Sequence, residues 1–138
     1  MGKAVTLLIA VLVFCVTATA ARADSGCVQG VHATLSWTST IKGNAVDWPA
    51  AARKLGFTVD HSSGACTSSK PCVVAYPPSY GSGIDKTYGH VAVLYSCSGS
   101  SCMIGDQNGI CGTATTFKKC SSAKTINFSS ASVIHPKS

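Results

Sequence analysis

Apolar residues follow three different rhythms along this chain. Over residues 5–16 they run almost unbroken, interrupted only by Thr6. From Cys27 to about Thr38 they thin out, and Val28, Val31 and Leu35 recur at the spacing of one helix face. Asp24 or Ser25 is placed to cap that helix, while Gly30 and the Thr and Ser residues in it work against it. A second helix is better marked. Asp47 is positioned to cap it, Pro49 suits its first turn, Ala50 and its neighbours propagate it, Arg53-Lys54 suit its C-terminal dipole, and Gly56 stops it.

Beyond residue 56 the pattern changes to short apolar runs rich in Val, Thr and Ser. Phe57-Thr58-Val59, residues 72–76, residues 90–95, residues 103–106, residues 125–128 and residues 131–134 each read as a strand. Pro77-Pro78 ends the second of these, a Gly- and Ser-rich loop spans 79–88, and Asn108-Gly109 marks a tight turn. Helices followed by strands predict an α+β fold with the helices packed on an antiparallel sheet. No repeat or linker divides it.

The first apolar run has the layout of a secretory signal. Lys3 supplies the positive start, and Ala21-Arg22-Ala23 offers small residues where a signal peptidase reads, predicting cleavage before Asp24. A cut after Ala20 fits almost as well. The run is too short for a membrane span, which wants about 20 apolar residues. Residues 1–23 are therefore expected to be removed, leaving one secreted domain over 24–138, a monomer with no membrane partner. Nine Lys and Arg then stand against five Asp, a net charge of +4, which suits an anionic partner such as a bacterial wall or an acidic glycan. The basic residues are scattered and lack interleaved aromatics, which argues against a nucleic-acid partner.

Removal of the signal changes the cysteine arithmetic. Of the eight cysteines, Cys15 would leave with it, and the seven that remain cannot all pair. Six lie at 66, 72, 97, 102, 111 and 120, in the strand-rich half, where 66–72, 97–102 and 111–120 is the simplest of fifteen pairings because each closes a short loop. A zinc site would need a tighter ligand pair, such as two cysteines separated by two residues, and none occurs. The sequence thus predicts disulfides, no metal and no cofactor. Cys27, alone at the start of the mature chain, is the candidate for the one left over.

A cysteine at a helix N-terminus is well placed to become a thiolate, because the dipole and unpaired amides there stabilise the anion. His90 follows a glycine at the start of a strand, from which its imidazole can be aimed as a base. Asp106 and Asn108 each have an acceptor that could fix the imidazole tautomer. Each has a plainer reading too: Cys27 as a disulfide partner, His90 as a strand histidine, and residues 106–109 as an ordinary turn.

The order of Cys27, then Gly43-Asn44-Ala45 with Trp48, then Thr87-Tyr88-Gly89-His90-Val91-Ala92-Val93-Leu94, resembles the CHAP family of cysteine- and histidine-dependent amidohydrolases and peptidases. The resemblance runs from Cys27 to Ile134-His135-Pro136. It implies a small papain-like fold and hydrolysis of amide bonds in bacterial peptidoglycan, with Cys27 as nucleophile and His90 as base. Asp106 stands where the family usually has glutamate, and Asn108 where it often has asparagine; either is assigned to orient the imidazole, with Asp106 favoured. Trp48 and Tyr88 are implied substrate-groove residues, and both also read as core packing. Gly26-Cys27-Val28-Gln29 lacks the aromatic pair that commonly follows the family's nucleophile. A non-catalytic disulfide-rich domain that binds wall glycan or peptide is the alternative, and an NlpC-type peptidase a third.

Overall fold

A computed structural model describes residues 26–81 and 83–138. The expected signal segment, and Cys15 within it, lie outside the described residues. Helix α1 spans Gly26–Thr34 and helix α2 spans Trp48–Lys54. The strands are β1 (Thr58–Asp60), β2 (Cys72–Tyr76), β3 (His90–Ser98), β4 (Ser101–Asp106), β5 (Lys118–Lys119), β6 (Lys124–Thr125) and β7 (Ser132–His135). They form one antiparallel sheet in the order β1-β7-β2-β3-β4-β5, with β6 also paired to β4. The α+β class expected from the sequence is the observed one.

Local chemistry explains where elements stop. The first helix was expected to reach Thr38 but ends at Thr34, whose hydroxyl donates to Gly30 O at 2.8 Å. Leu35 is then extended, and Ser36–Thr38 forms a separate 3-10 turn. Side-chain hydroxyls that compete for backbone carbonyls favour such breaks. Asp47 does not cap α2 with its side chain. Its Oδ2 instead accepts from the Asn44 amide at 3.2 Å, one turn earlier, where Ala45–Asp47 is a 3-10 turn. Gly56 ends α2 as expected, in the left-handed region at φ +91°. The strand expected over 125–128 stops at Thr125, because Asn127 Oδ1 turns back to accept from the Ser129 amide and hydroxyl.

Strand alternation sorts the core into two layers. Val73, Ala75, Val91, Val93 and Ile134 face the helices and pack with Cys27, Val28, Val31 and Trp48. Val74, Tyr76, Ala92, Leu94, Ile104 and Val133 face the other way, against Ile84, Ile126 and Ala131. β2 lies between two partners and is buried throughout.

The disulfides pair as the shortest loops predict: Cys66–Cys72, Cys97–Cys102 and Cys111–Cys120. Cys97–Cys102 staples the β3–β4 hairpin across opposed residues, beside a two-residue loop that begins at Gly99, φ +64°. No helix among the described residues is long and apolar enough to cross a membrane.

Candidate active site

The site is built where the loop before β3 meets the loop after β4. Asp85 holds the first of these, its Oδ1 accepting from the amides of Thr87 at 2.8 Å and Tyr88 at 2.7 Å. The Gly89 amide then donates to Asp85 O. Gly89 itself has φ +71°, and a Cβ there would lie 2.5 Å from Tyr76 O. Only glycine satisfies both conditions, and it delivers His90 to the first position of β3.

His90 is buried, with its ring stacked on Tyr76 at a centroid separation of 6.0 Å. Its Nε2 lies 2.8 Å from Asp106 Oδ2, and Asp106 is fully buried at the end of β4. The carboxylate accepts three further bonds. The Ile110 amide donates to Oδ2 at 2.6 Å, and the Cys111 and Gly112 amides donate to Oδ1 at 2.9 and 2.8 Å. Burial alone would raise this carboxyl, but the His90 hydrogen bond and charge and the Gly112 and Cys111 amides outweigh it, holding it below its ordinary value. A carboxylate at Nε2 keeps the proton on that nitrogen and leaves Nδ1 as the basic atom.

Sequence reasoning missed the cradle around Asp106. It comes from the turn over 107–112, whose amides converge on one side chain, and Cys111–Cys120 ties that turn to the segment following β5. The signal for it was a short loop rich in Gly directly after an aspartate. Gly109 has a separate requirement, since a Cβ there would lie 2.1 Å from His90 Cε1.

The other candidates fall in different places. Asn108 sits in the turn at φ +56°, its amide donating to Thr113 O at 2.7 Å. Trp48 is fully buried, stacked on His32, with its indole N–H donating to Gly43 O at 3.3 Å. Its role is core packing, which corrects the expectation of a groove residue. Tyr88 is partly buried in the loop that leads to His90.

Cys27 is the second residue of α1 and is fully buried, in the same core layer as Val91. Cys27 is disulfide-bonded in the full chain, outside the three pairs named above. Alternation along β3 sends Val91 and Val93 toward α1 and His90 toward the opposite face. The head of α1 and the imidazole are therefore directed to opposite faces of the sheet.

On the His90 face lies a cleft of about 440 Å³, lined by Tyr76, Tyr80, Ile84, Gly109, Ile110 and Lys124 among others. Two of these, Tyr76 and Gly109, also abut the His90 ring. Tyr80 is fixed by accepting the Asn127 amide on its hydroxyl at 2.9 Å.

No family model matches the sequence. No curated protein matches it. Among solved structures, the chain is similar to an N-acetylmuramoyl-L-alanine amidase from Staphylococcus aureus, with a TM-score of 0.56 and 25% sequence identity. The match covers 82% of this chain and 30% of that one, so the chain spans less than a third of that protein's length.

Proposed function

We propose that this chain is a secreted cysteine amidohydrolase of the CHAP type that cuts amide bonds in bacterial peptidoglycan. The observation that carries the reading is the buried His90–Asp106 pair at 2.8 Å, whose imidazole abuts Tyr76 and Gly109 in the lining of a cleft. Likeness to a peptidoglycan amidase supports the substrate class. In this reading the Cys27 disulfide is opened before catalysis, and the thiol is then ionised by His90 Nδ1 with help from the head of α1.

The reaction follows from these groups. The Cys27 thiolate adds to an amide carbonyl carbon of a peptide crosslink or of the muramyl–alanine linkage. Amides at the start of α1 have no partner within the helix and face the developing oxyanion; one such donor is typically worth about 10²–10³ in rate. The His90 imidazolium returns its proton to the leaving amine, giving a thioester. Water, deprotonated by the same imidazole, then releases the acyl group and restores the thiol. Asp106 and Asn108 act by fixing His90, and Tyr88 borders the groove.

A second reading, a non-catalytic domain that binds wall glycan or peptide, is favoured by one observation: Cys27 is fully buried and disulfide-bonded. Lysis of purified walls separates the two. The enzyme reading expects lysis by reduced wild-type protein and none by Cys27→Ala or His90→Ala. Wall binding without lysis in all three leaves the binding domain. Alkylation with mass mapping after mild reduction adds a check, since Cys27 should be labelled as lysis appears.

A further inference from the structure

A second histidine–carboxylate pair lies on the same face of the sheet as His90, toward the opposite end of β2. His135, at the end of β7, places Nε2 2.7 Å from Asp60 Oδ1 on the paired strand β1. Its other nitrogen, Nδ1, lies 3.5 Å from Cys72 Sγ on β2. The donor atoms of Cys66, Cys72 and His135 all fall within 4.8 Å of one another. Beside them is a cavity of about 300 Å³, lined by Asp60, Ala65, Lys70 and His135 among others.

We propose that this corner is a thiol-gated zinc site: a disulfide when oxidised, and a Cys66–Cys72–His135 zinc centre when a dithiol reduces it. Three observations point to zinc. In a tetrahedral centre with zinc–sulfur about 2.3 Å and zinc–nitrogen about 2.0–2.1 Å, sulfur and nitrogen stand about 3.6 Å apart. The Cys72–His135 edge is already at that length. The two sulfurs must separate to about 3.8 Å in the same geometry. The second is the outer partner. A ligating histidine nearly always donates its other N–H to a carboxylate or carbonyl, and Asp60 is in that position. The third is room. The adjoining cavity leaves space for a water or anion as fourth ligand.

The exchange balances. The dithiol gives two electrons to the Cys66–Cys72 bond and becomes a disulfide. Two thiolates form, Zn²⁺ replaces the protons, and two protons are released. His135 stays neutral, with Nδ1 on the metal and Nε2–H on Asp60. The sequence concealed the site because His135 lies 63 residues from Cys72 and only the β2–β7 pairing joins them.

The test uses the full chain, reduced with a phosphine so that no added thiol competes, and titrated anaerobically with Co²⁺ and then Zn²⁺. Reduced wild type should bind one metal equivalent more than the Cys66→Ser/Cys72→Ser double variant. That equivalent should give the thiolate-to-cobalt charge-transfer and tetrahedral bands. Asp60→Ala should weaken zinc about 10–100-fold, because it removes only the outer hydrogen bond. His135→Ala should abolish the extra equivalent. Equal stoichiometry in wild type and double variant, or unchanged affinity in His135→Ala, overturns the proposal. So does loss of the folded far-ultraviolet spectrum in reduced, zinc-loaded protein, since the metal must hold the corner together.

Discussion

Asparagine at position 106 replaces one carboxylate oxygen by an NH₂ in a pocket that contains only donors. His90 Nε2 and the Ile110 amide point at Oδ2, and the Cys111 and Gly112 amides point at Oδ1. Whichever way the new amide turns, two of the four bonds face a donor instead of an acceptor. Hydrogen bonds to a charged group are each worth about 1.5–3 kcal/mol, and the two that survive fall to neutral strength. Rotation of the His90 tautomer recovers one of the lost pair at most. Asp106→Asn should therefore lower the unfolding free energy by about 3–5 kcal/mol, a large part of the 5–15 typical of a domain.

Urea unfolding at pH 7 with the disulfides intact reads this directly. The pH dependence supplies an independent check. Burial pushes the Asp106 carboxyl up, but the His90 and backbone hydrogen bonds hold it below its ordinary value, so its folded pKa is lower than its unfolded one. Its stabilisation is complete above the unfolded value, about 4, and fades as pH falls from there toward the folded pKa. Wild type should lose stability below pH of about 4 more steeply than the asparagine variant. Catalysis should fall further than stability. If the variant forces the proton onto Nδ1, the base is gone, and in a triad that change costs on the order of 10³–10⁴ in rate. A stability loss under about 1 kcal/mol, with the acid limb unchanged, would refute the cradle argument.

Gly109→Ala puts a methyl within 2.1 Å of the His90 ring, so wall lysis should drop at least about 100-fold while the chain stays folded by circular dichroism. Gly30→Ala meets Gln107 Cβ at 2.6 Å and must push α1 off the loop after β4, costing about 1–3 kcal/mol in a urea titration. Lys124→Gln, at the rim of the cleft, should raise the KM for walls whose stem peptides carry free carboxylates and leave that for amidated walls unchanged. A uniform drop in kcat for both would show that Lys124 does not select the substrate. Lysis should also require reductant and rise in step with opening of the Cys27 disulfide; full activity without reductant would exclude that requirement.

What could be read in the chain divides by distance along it. The disulfides joining near neighbours, the Gly56 stop and β2 between its turn signals all depend on local chemistry, and local chemistry is written in order. The His90–Asp106 pair spans sixteen residues but follows from one hairpin, so a histidine and an aspartate near adjacent strand ends sufficed to suggest it. The cradle of amides was hidden because backbone donors have no letter in a sequence. Trp48 reads equally as groove or core, and only its complete burial against His32 decides. His135 looked like part of a chain end; its neighbours on β1 and β2 arrive from residues 60 and 72.

Cys27 turns on which part of the chain is counted. Eight cysteines allow complete pairing, and loss of a leader that contains Cys15 would leave seven. The two halves of the proposed mechanism therefore stand differently. His90 is prepared: its partner, tautomer and burial are set by a loop that a disulfide pins in place. Cys27 sits at a helix head suited to a thiolate, yet it is held in a covalent bond inside the core. Under the proposed mechanism the order of events is opening of the Cys27 bond first and hydrolysis last. Trapping with an alkylating agent during activation should find label on Cys27 before any wall is cut, and lysis that precedes labelling would break that order.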